Sequence, residues 1–320
     1  MMNTPVLLIT FNRPDHTRRV LERILEAKPQ ELYVFQDGAR EGNANDVAKC
    51  AEVRQVIDTL WDNYLSHAVA ENEKQQPRLH RYYSDINLGC GPGPVTAISW
   101  FFEHVEMGIV MEDDCLPTST IFAFYERLLE IYKDDKRISL ITGTNALSKW
   151  CSWKSAYLFS KTGGMTMGCW ASWRRAWNMF DWRIESWHNP INKEKLRLFI
   201  DDSLYKQWVP LLDDIVANPP CDAWDYQWAY ARFLHHTYSI VSTVNQMSNI
   251  GFGVESTHTP NENDCRANMQ LFECQLPLKK QQLKIAKLYD WVMFQRFERH
   301  NKKGFLLRLW LKIIDFVCRR

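Results

Sequence analysis

Three acids in a row, Glu112-Asp113-Asp114, close the apolar run Gly108-Ile109-Val110-Met111. A short apolar run with branched side chains suits a strand covered on both faces. Carboxylates this close raise one another's cost of ionisation unless a cation sits among them, so they either point into water or hold a metal. A hard divalent cation, manganese or magnesium, takes carboxylate oxygens and shares its other positions with phosphate oxygens and water. Asp114, last of the three, is best placed to ligate it, which leaves Asp113 and Glu112 to hold waters or a sugar hydroxyl. The cation would then offset the charge of a departing diphosphate. Other acid pairs serve as controls. Asp134-Asp135, Asp201-Asp202 and Asp213-Asp214 lie in a lysine-flanked turn or in less sheet-like segments and read as solvated faces or caps.

The elements that must position the triplet alternate strand with helix. Apolar or β-rich runs at 5–10, 31–37 and, more weakly, 78–83 precede the run at 108–111. Between them lie helical patterns: Val20, Leu21, Ile24 and Leu25 after a cap at Asp15 or Thr17, then about Asp46 to Tyr64, then Ile98 to Val105, with another at Ile121–Tyr132. Such alternation predicts right-handed βαβ units, an α/β fold with a mostly parallel sheet flanked by helices. Ligands of such sheets collect at the carboxyl ends of strands. Three features fall there: Asn12-Arg13, Gln36-Asp37-Gly38 and the acidic triplet. Taken singly, Arg13 reads equally as a surface arginine and Asp37-Gly38 as a plain turn. The glycine-rich stretch Gly89–Pro94 could bring backbone N–H groups to phosphate, though a lone Gly-x-Gly is more often just a turn.

Composition narrows the classes. With 320 residues, 46% hydrophobic and 24% charged, the chain can bury a full core, and a formal charge of +1 gives no support to nucleic-acid binding through phosphates. Nine scattered cysteines without a CxxC pair fit reduced thiols in the cytoplasm, and the N-terminus passes into a strand-like run with no leader pattern. Beyond residue 150 the chain turns tryptophan-rich and irregular, which reads as an elaborated half of one domain (1–260) followed by an extension (261–303) and a terminal helix (304–320). That helix carries Arg308, Lys312, Asp315 and Arg319 in one narrow stripe, with Leu306, Leu309, Trp310, Ile313, Ile314, Phe316 and Val317 around the rest. It either lies in the cytoplasmic face of a membrane, its basic residues among lipid head groups, or docks on the core.

The stretches VLLITFNRPDHTRRVLERILEAKP, YVFQDG, GIVMEDDCLP, GCWASWRRAW and NIGFGVESTHT together resemble the GT-A (Rossmann-like) glycosyltransferases, particularly bacterial sugar transferases related to N-acetylglucosaminyltransferase I. The likeness runs in order from residue 5 to about 260. It implies a metal-dependent enzyme that moves a sugar from a nucleoside diphosphate, with UDP the expected nucleotide, to an acceptor hydroxyl. Transfer would proceed with inversion, in the synthesis of a surface polysaccharide or glycoconjugate with a glycan or lipid-linked acceptor. On this likeness Arg13 would touch the nucleotide or its phosphates, Asp37 would accept from the base, Asp114 would ligate manganese or magnesium, and Glu112 and Asp113 would bind the donor. An inverting transfer also needs a carboxylate to take the acceptor's proton. PPCDAWDYQWAY offers Asp222 and Asp225, and Asp225 is the choice, against the plain reading of a helix N-cap followed by a third-position acid.

Trp170, Trp173 and Trp177 recur at helical spacing and read mostly as core, with Trp170 the one expected to line the sugar site. His258 is expected as a further metal or diphosphate ligand, against an ordinary structural role. Residues Gly89–Pro94 depart from the family, which carries basic and histidine side chains there, and so leave the phosphate contacts open. A sugar nucleotidyltransferase is the rival enzyme, although TFNRPD lacks a glycine-rich activation loop. A non-catalytic carbohydrate-binding or scaffold protein is the rival from another class.

Overall fold

The computed structural model describes residues 2–70, 76–163, 168–219, 223–253, 261, 264, 266–298 and 305–318. In chain order they form β1 (Val6–Thr10), α1 (Pro14–Glu26), β2 (Glu31–Gln36), α2 (Ala44–Ala70), β3 (Arg78–Tyr83), α3 (Pro92–His104) and β4 (Met107–Glu112). Then come β5 (Cys115–Pro117), α4 (Thr120–Ile131), β6 (Ile138–Thr142), β7 (Tyr157–Ser160), β8 (Cys169–Trp173), the short α5 (Arg174–Trp177), α6 (Pro190–Phe199), α7 (Asp202–Ala217) and α8 (Asp225–Leu234). The chain closes with β9 (Tyr238–Ser242), β10 (Met247–Asn249), α9 (Lys287–Met293) and α10 (Phe305–Cys318).

Eight strands make one sheet in the order β3-β2-β1-β4-β8-β6-β9-β7, and β5 and β10 make a separate two-stranded ribbon. The first four pair in parallel. β8 enters antiparallel between β4 and β6, β9 returns parallel to β6, and β7 closes the edge antiparallel to β9. The alternating side chains of β1 show why helices cover both faces. Val6 and Leu8 join one core with Val20, Leu21 and Ile24 of α1, Val53 and Ile57 of α2, and Phe124 and Leu128 of α4. Leu7 and Ile9 join the opposite core with Ile98 and Phe101 of α3, Trp177 of α5, and Trp224 and Trp228.

Several sequence expectations change in detail. The cap of α1 is Arg13, with Pro14 opening the helix and Thr17 buried inside it, so neither Asp15 nor Thr17 caps. The stretch beyond residue 150 supplies β7, β8 and β9 and so completes the sheet. Trp170 and Trp173 belong to β8, where all five residues are buried, so their apparent helical spacing with Trp177 is a strand running into a one-turn helix. Of the control acids, Asp201 caps α7 by accepting from the Leu204 N–H, and Asp135 and Asp214 accept from their own neighbours, whereas Asp213 accepts from the buried Trp187 Nε1 at 2.8 Å and so anchors a distant side chain. The segment 266–285 crosses the domain, with Cys274 donating its backbone N–H to Thr120 and Ile285 bridging to Phe159.

Candidate active site

The strand order places a topological switch beside β1. The chain steps outward through β2 and β3 and then returns to lay β4 on the other side of β1, which opens a crevice at the carboxyl ends of β1 and β4. Register brings those ends level: Ile9 lies opposite Glu112, and the Asp113 N–H donates to the Ile9 carbonyl at 3.0 Å. Arg13 leaves the end of β1, and the acids leave the end of β4. The Arg13 guanidinium bridges them, one nitrogen on Asp114 Oδ2 at 3.0 Å and the other on Asp113 Oδ1.

The ribbon forms the flank of this site. β10 pairs antiparallel with β5 so that Asn249 stands opposite Cys115. Asn249 Nδ2 and the Cys115 thiol both donate to Asp114 Oδ1, at 3.2 and 3.4 Å, and the Ile250 N–H donates to the Asp114 carbonyl at 2.9 Å. Gly251 follows, and a Cβ there would fall 2.3 Å from Asp114 Oδ2 and 2.7 Å from Arg13 Nη1. Only glycine allows that approach. His16 of α1 faces the same turn, with Nε2 3.1 Å from the Ile250 carbonyl. On the opposite side Gly168 leads into β8 and accepts from the Glu112 N–H at 2.8 Å, packed so that a Cβ would meet the Glu112 carboxyl.

The charges follow from this packing. Burial works against the Arg13 charge, but Asp113 and Asp114 more than offset it and hold the group firmly protonated. Burial raises Asp113, and Arg13 draws it part of the way back. Glu112 is pushed up to about 8, first by burial and then by Asp114, Asp113 and Asp225, so at neutral pH it carries its proton and can donate a hydrogen bond. Asp225, the first residue of α8, therefore lies within electrostatic reach of Glu112. It stands at the head of the helix, where the dipole favours the carboxylate, and not in the third position that the sequence suggested.

Arg13, Glu112, Asp113, Asp114 and Asp225 thus converge on one edge of the sheet. Asp37 lies at the same edge in a different state. Its Oδ1 accepts from the N–H groups of Gly38 and Leu88 at 2.9 and 2.8 Å, and its Oδ2 accepts from the Gly89 N–H and Asn87 Nδ2 at 2.9 and 3.1 Å. All four acceptor positions of the carboxylate are filled within the chain. Asp37 thus shapes the Asn87–Gly89 loop, and its expected contact with the base stands as a proposal. Its neighbour Gln36 is likewise fully engaged with Phe11, Cys50 and Arg54.

Trp170 needs a correction. It is 0% exposed and sits among Trp177, Trp224 and Trp228 with ring centroids about 6 Å away, in the core and not on a sugar-binding surface. His258 and Asp222 lie outside the described residues.

For a divalent cation, the oxygen donors suit a hard ion in kind, and Asp113 Oδ2 is buried with no partner among the described residues. Arg13, however, already stands between the two carboxylates as their cation, and no three metal-ligating side chains cluster among the described residues. A metal would have to share Asp114 with the guanidinium.

Sequence reasoning missed the residues that dress Asp114. Asn249, Ile250 and Gly251 lie inside the quoted NIGFG stretch, so the signal was present without a role attached to it. Asp46, which ties Asn12 to Arg40 at 2.7–2.8 Å, left no such trace.

No protein-family model matches the sequence, and no curated protein matches it. Among solved structures, HddC from Yersinia pseudotuberculosis is 10% identical with a TM-score of 0.28, over 54% of this chain and 77% of that one. UDP-glucose pyrophosphorylase from Acinetobacter baumannii is 9% identical with a TM-score of 0.37, over 98% of this chain and 100% of that one. A UDP-glucose pyrophosphorylase complexed with UDP-glucose is 10% identical with a TM-score of 0.33, over 78% and 93%. The functional reading therefore rests on the geometry of the site itself.

Proposed function

We propose that the chain is a glycosyltransferase that moves a sugar from a nucleoside diphosphate, UDP in the first instance, to an acceptor hydroxyl with inversion. The observation that supports it most is the meeting of Arg13 with Asp113 and Asp114 in the switch-point crevice, with Glu112 and the head of α8 beside them. Such a crevice offers a diphosphate one fixed cation and offers sugar hydroxyls both an acid that donates and acids that accept.

In this reading Arg13 holds the diphosphate and stabilises the negative charge that gathers as the sugar–phosphate bond breaks. Glu112 donates to, and Asp113 accepts from, the donor's hydroxyls. Asp225 takes the proton from the acceptor oxygen as that oxygen bonds to the anomeric carbon and the nucleoside diphosphate leaves. Asp37 meets the base while fixing the Asn87–Gly89 loop. Manganese or magnesium, held by Asp114 with His258 as a further ligand, would supply additional charge neutralisation at the departing diphosphate.

Calorimetry with UDP, with and without manganese, followed by a donor-hydrolysis screen across UDP-, GDP- and dTDP-sugars, tests the reading. Binding of UDP and slow release of sugar from one donor support it. Pyrophosphate release from UTP and a sugar phosphate would assign a nucleotidyltransferase instead. No binding at millimolar nucleotide would leave a carbohydrate-binding scaffold.

A further inference from the structure

The terminal helix α10 has two apolar faces, of which one lies on the core. Leu307, Leu311, Ile314 and Cys318 recur at helical spacing and pack with Leu147, Trp150, Tyr289, Val292 and Met293. On the side turned away from that contact Trp310 is 61% and Phe316 66% exposed, and Ile313 and Val317 are exposed with them. Scattered exposed apolar residues are ordinary, but four of them on one short helix form a patch that a protein surface in water rarely carries. A further exposed aromatic lies in the turn bonded to the end of the helix. The Cys151 N–H donates to the Cys318 carbonyl at 2.5 Å, and the turn this fixes carries Trp153, itself half exposed, with the Lys154 ammonium beside its ring.

The sequence of this terminal stretch is one-sided in charge. Residues 301–320 hold six basic side chains and one acid, although the whole chain is nearly neutral. The single acid, Asp315, is ion-paired to Arg296. Arg308 and Lys312, one turn apart, flank the exposed apolar face. At 14 residues the helix is about 21 Å long, shorter than the roughly 30 Å hydrocarbon core of a bilayer, and no helix among the described residues is long and apolar enough to cross a membrane.

We infer that α10 seats the protein on an anionic lipid surface, lying in the plane of the interface with Trp310, Ile313, Phe316 and Val317 among the acyl chains and the basic flank among the phosphates. Tryptophan suits that depth, with an apolar ring and an N–H that reaches water. Its other face stays on the core, so the helix joins the folded domain to the bilayer without unfolding from it.

The test is cosedimentation of the whole protein with vesicles of phosphatidylcholine alone and of phosphatidylcholine mixed with phosphatidylglycerol, at low and high salt. The expected result is at least tenfold preference for the anionic vesicles, weakened by salt because the attraction is screened. W310S/F316S should lose binding at least tenfold while keeping the native melting curve, since both side chains are exposed. The charge reversal R308E/K312E should abolish the preference for anionic lipid by a separate route. Failure of the wild-type chain to sediment with anionic vesicles overturns the inference. So does unchanged binding by both variants, or a stable dimer in light scattering that W310S/F316S dissociates and that does not bind lipid.

Discussion

Replacing Arg13 with glutamine removes the guanidinium that bridges two adjoining carboxylates, and the structure sets the size of the effect. The Asp113 side chain is 2% exposed, that of Asp114 11% and that of Arg13 22%. Breaking a buried ion pair on one side costs about 3–5 kcal/mol, because the remaining charge has neither water nor partner. The partial exposure of Arg13 places R13Q near the low end, at about 3 kcal/mol at pH 7. The pH dependence has a definite sign. Burial already raises Asp113 above its unfolded value, and losing Arg13 raises it further. A carboxyl raised in the folded state contributes stability that is present at low pH and lost as pH rises through its folded pKa. The deficit of R13Q should therefore shrink on going from pH 7 to pH 5, where the orphaned acid takes up a proton. Urea unfolding of both proteins at the two pH values measures it, and manganese should stabilise R13Q more than wild type by occupying the vacated position. UDP affinity should fall at least tenfold, equivalent to about 1.4 kcal/mol. Equal unfolding curves for R13Q and wild type at both pH values would refute the reasoning, since they would mean that the triplet is solvated.

Four other outcomes follow from single contacts. D225N should lower turnover by about 10²–10⁴ while leaving UDP affinity unchanged, in donor-hydrolysis and calorimetric assays respectively; an equal loss in both would make Asp225 a binding residue. G251A places a methyl group against Asp114 Oδ2 and Arg13, so UDP affinity should drop about tenfold with the fold intact, and wild-type affinity would show that the flank can give way. W170A should destabilise the protein by about 3–5 kcal/mol as a core truncation; a wild-type melting curve with weakened sugar binding would restore it to the site. Asp290, pushed up to about 6 chiefly by burial, adds stability below pH 4 that is lost as pH rises to about 6; D290N should flatten that slope, on the order of 2 kcal/mol, in melts across the interval.

The parallel part of the sheet could be read from the sequence because β1, β2 and β4 are short apolar runs with helical patterns between them. β3, the weakest parallel strand by composition, occupies residues 78–83, where the pattern put it. The gathering of Arg13 with the triplet was also legible, since both follow strands and the carboxyl ends of parallel strands share an edge. What failed was anything decided by partners distant in sequence. Asp37 reads as an open acceptor until the N–H groups of residues 88 and 89 close on it. Trp170 reads as helical because spacings of three and four residues cannot distinguish a helix from a strand that runs into one, and burial on both faces of β8 removes the alternation that would have marked it. The support of Asp114 from residues 249–251 crosses well over a hundred positions and leaves no local signature beyond a glycine.

That support comes from a ribbon which is a sheet of its own. β5 and β10 share no ladder with the eight strands, so they can part while the large sheet keeps every rung. Such an opening would strip Asn249 and Ile250 from Asp114 and bare one flank of the Arg13 bridge, at the cost of the ribbon's own bonds and of the burial of Cys115 and Met247, with the eight-stranded ladder intact. The amides of Ser248 to Gly251 should accordingly exchange with deuterium sooner than those of β1 and β4, and a bound diphosphate should slow them first.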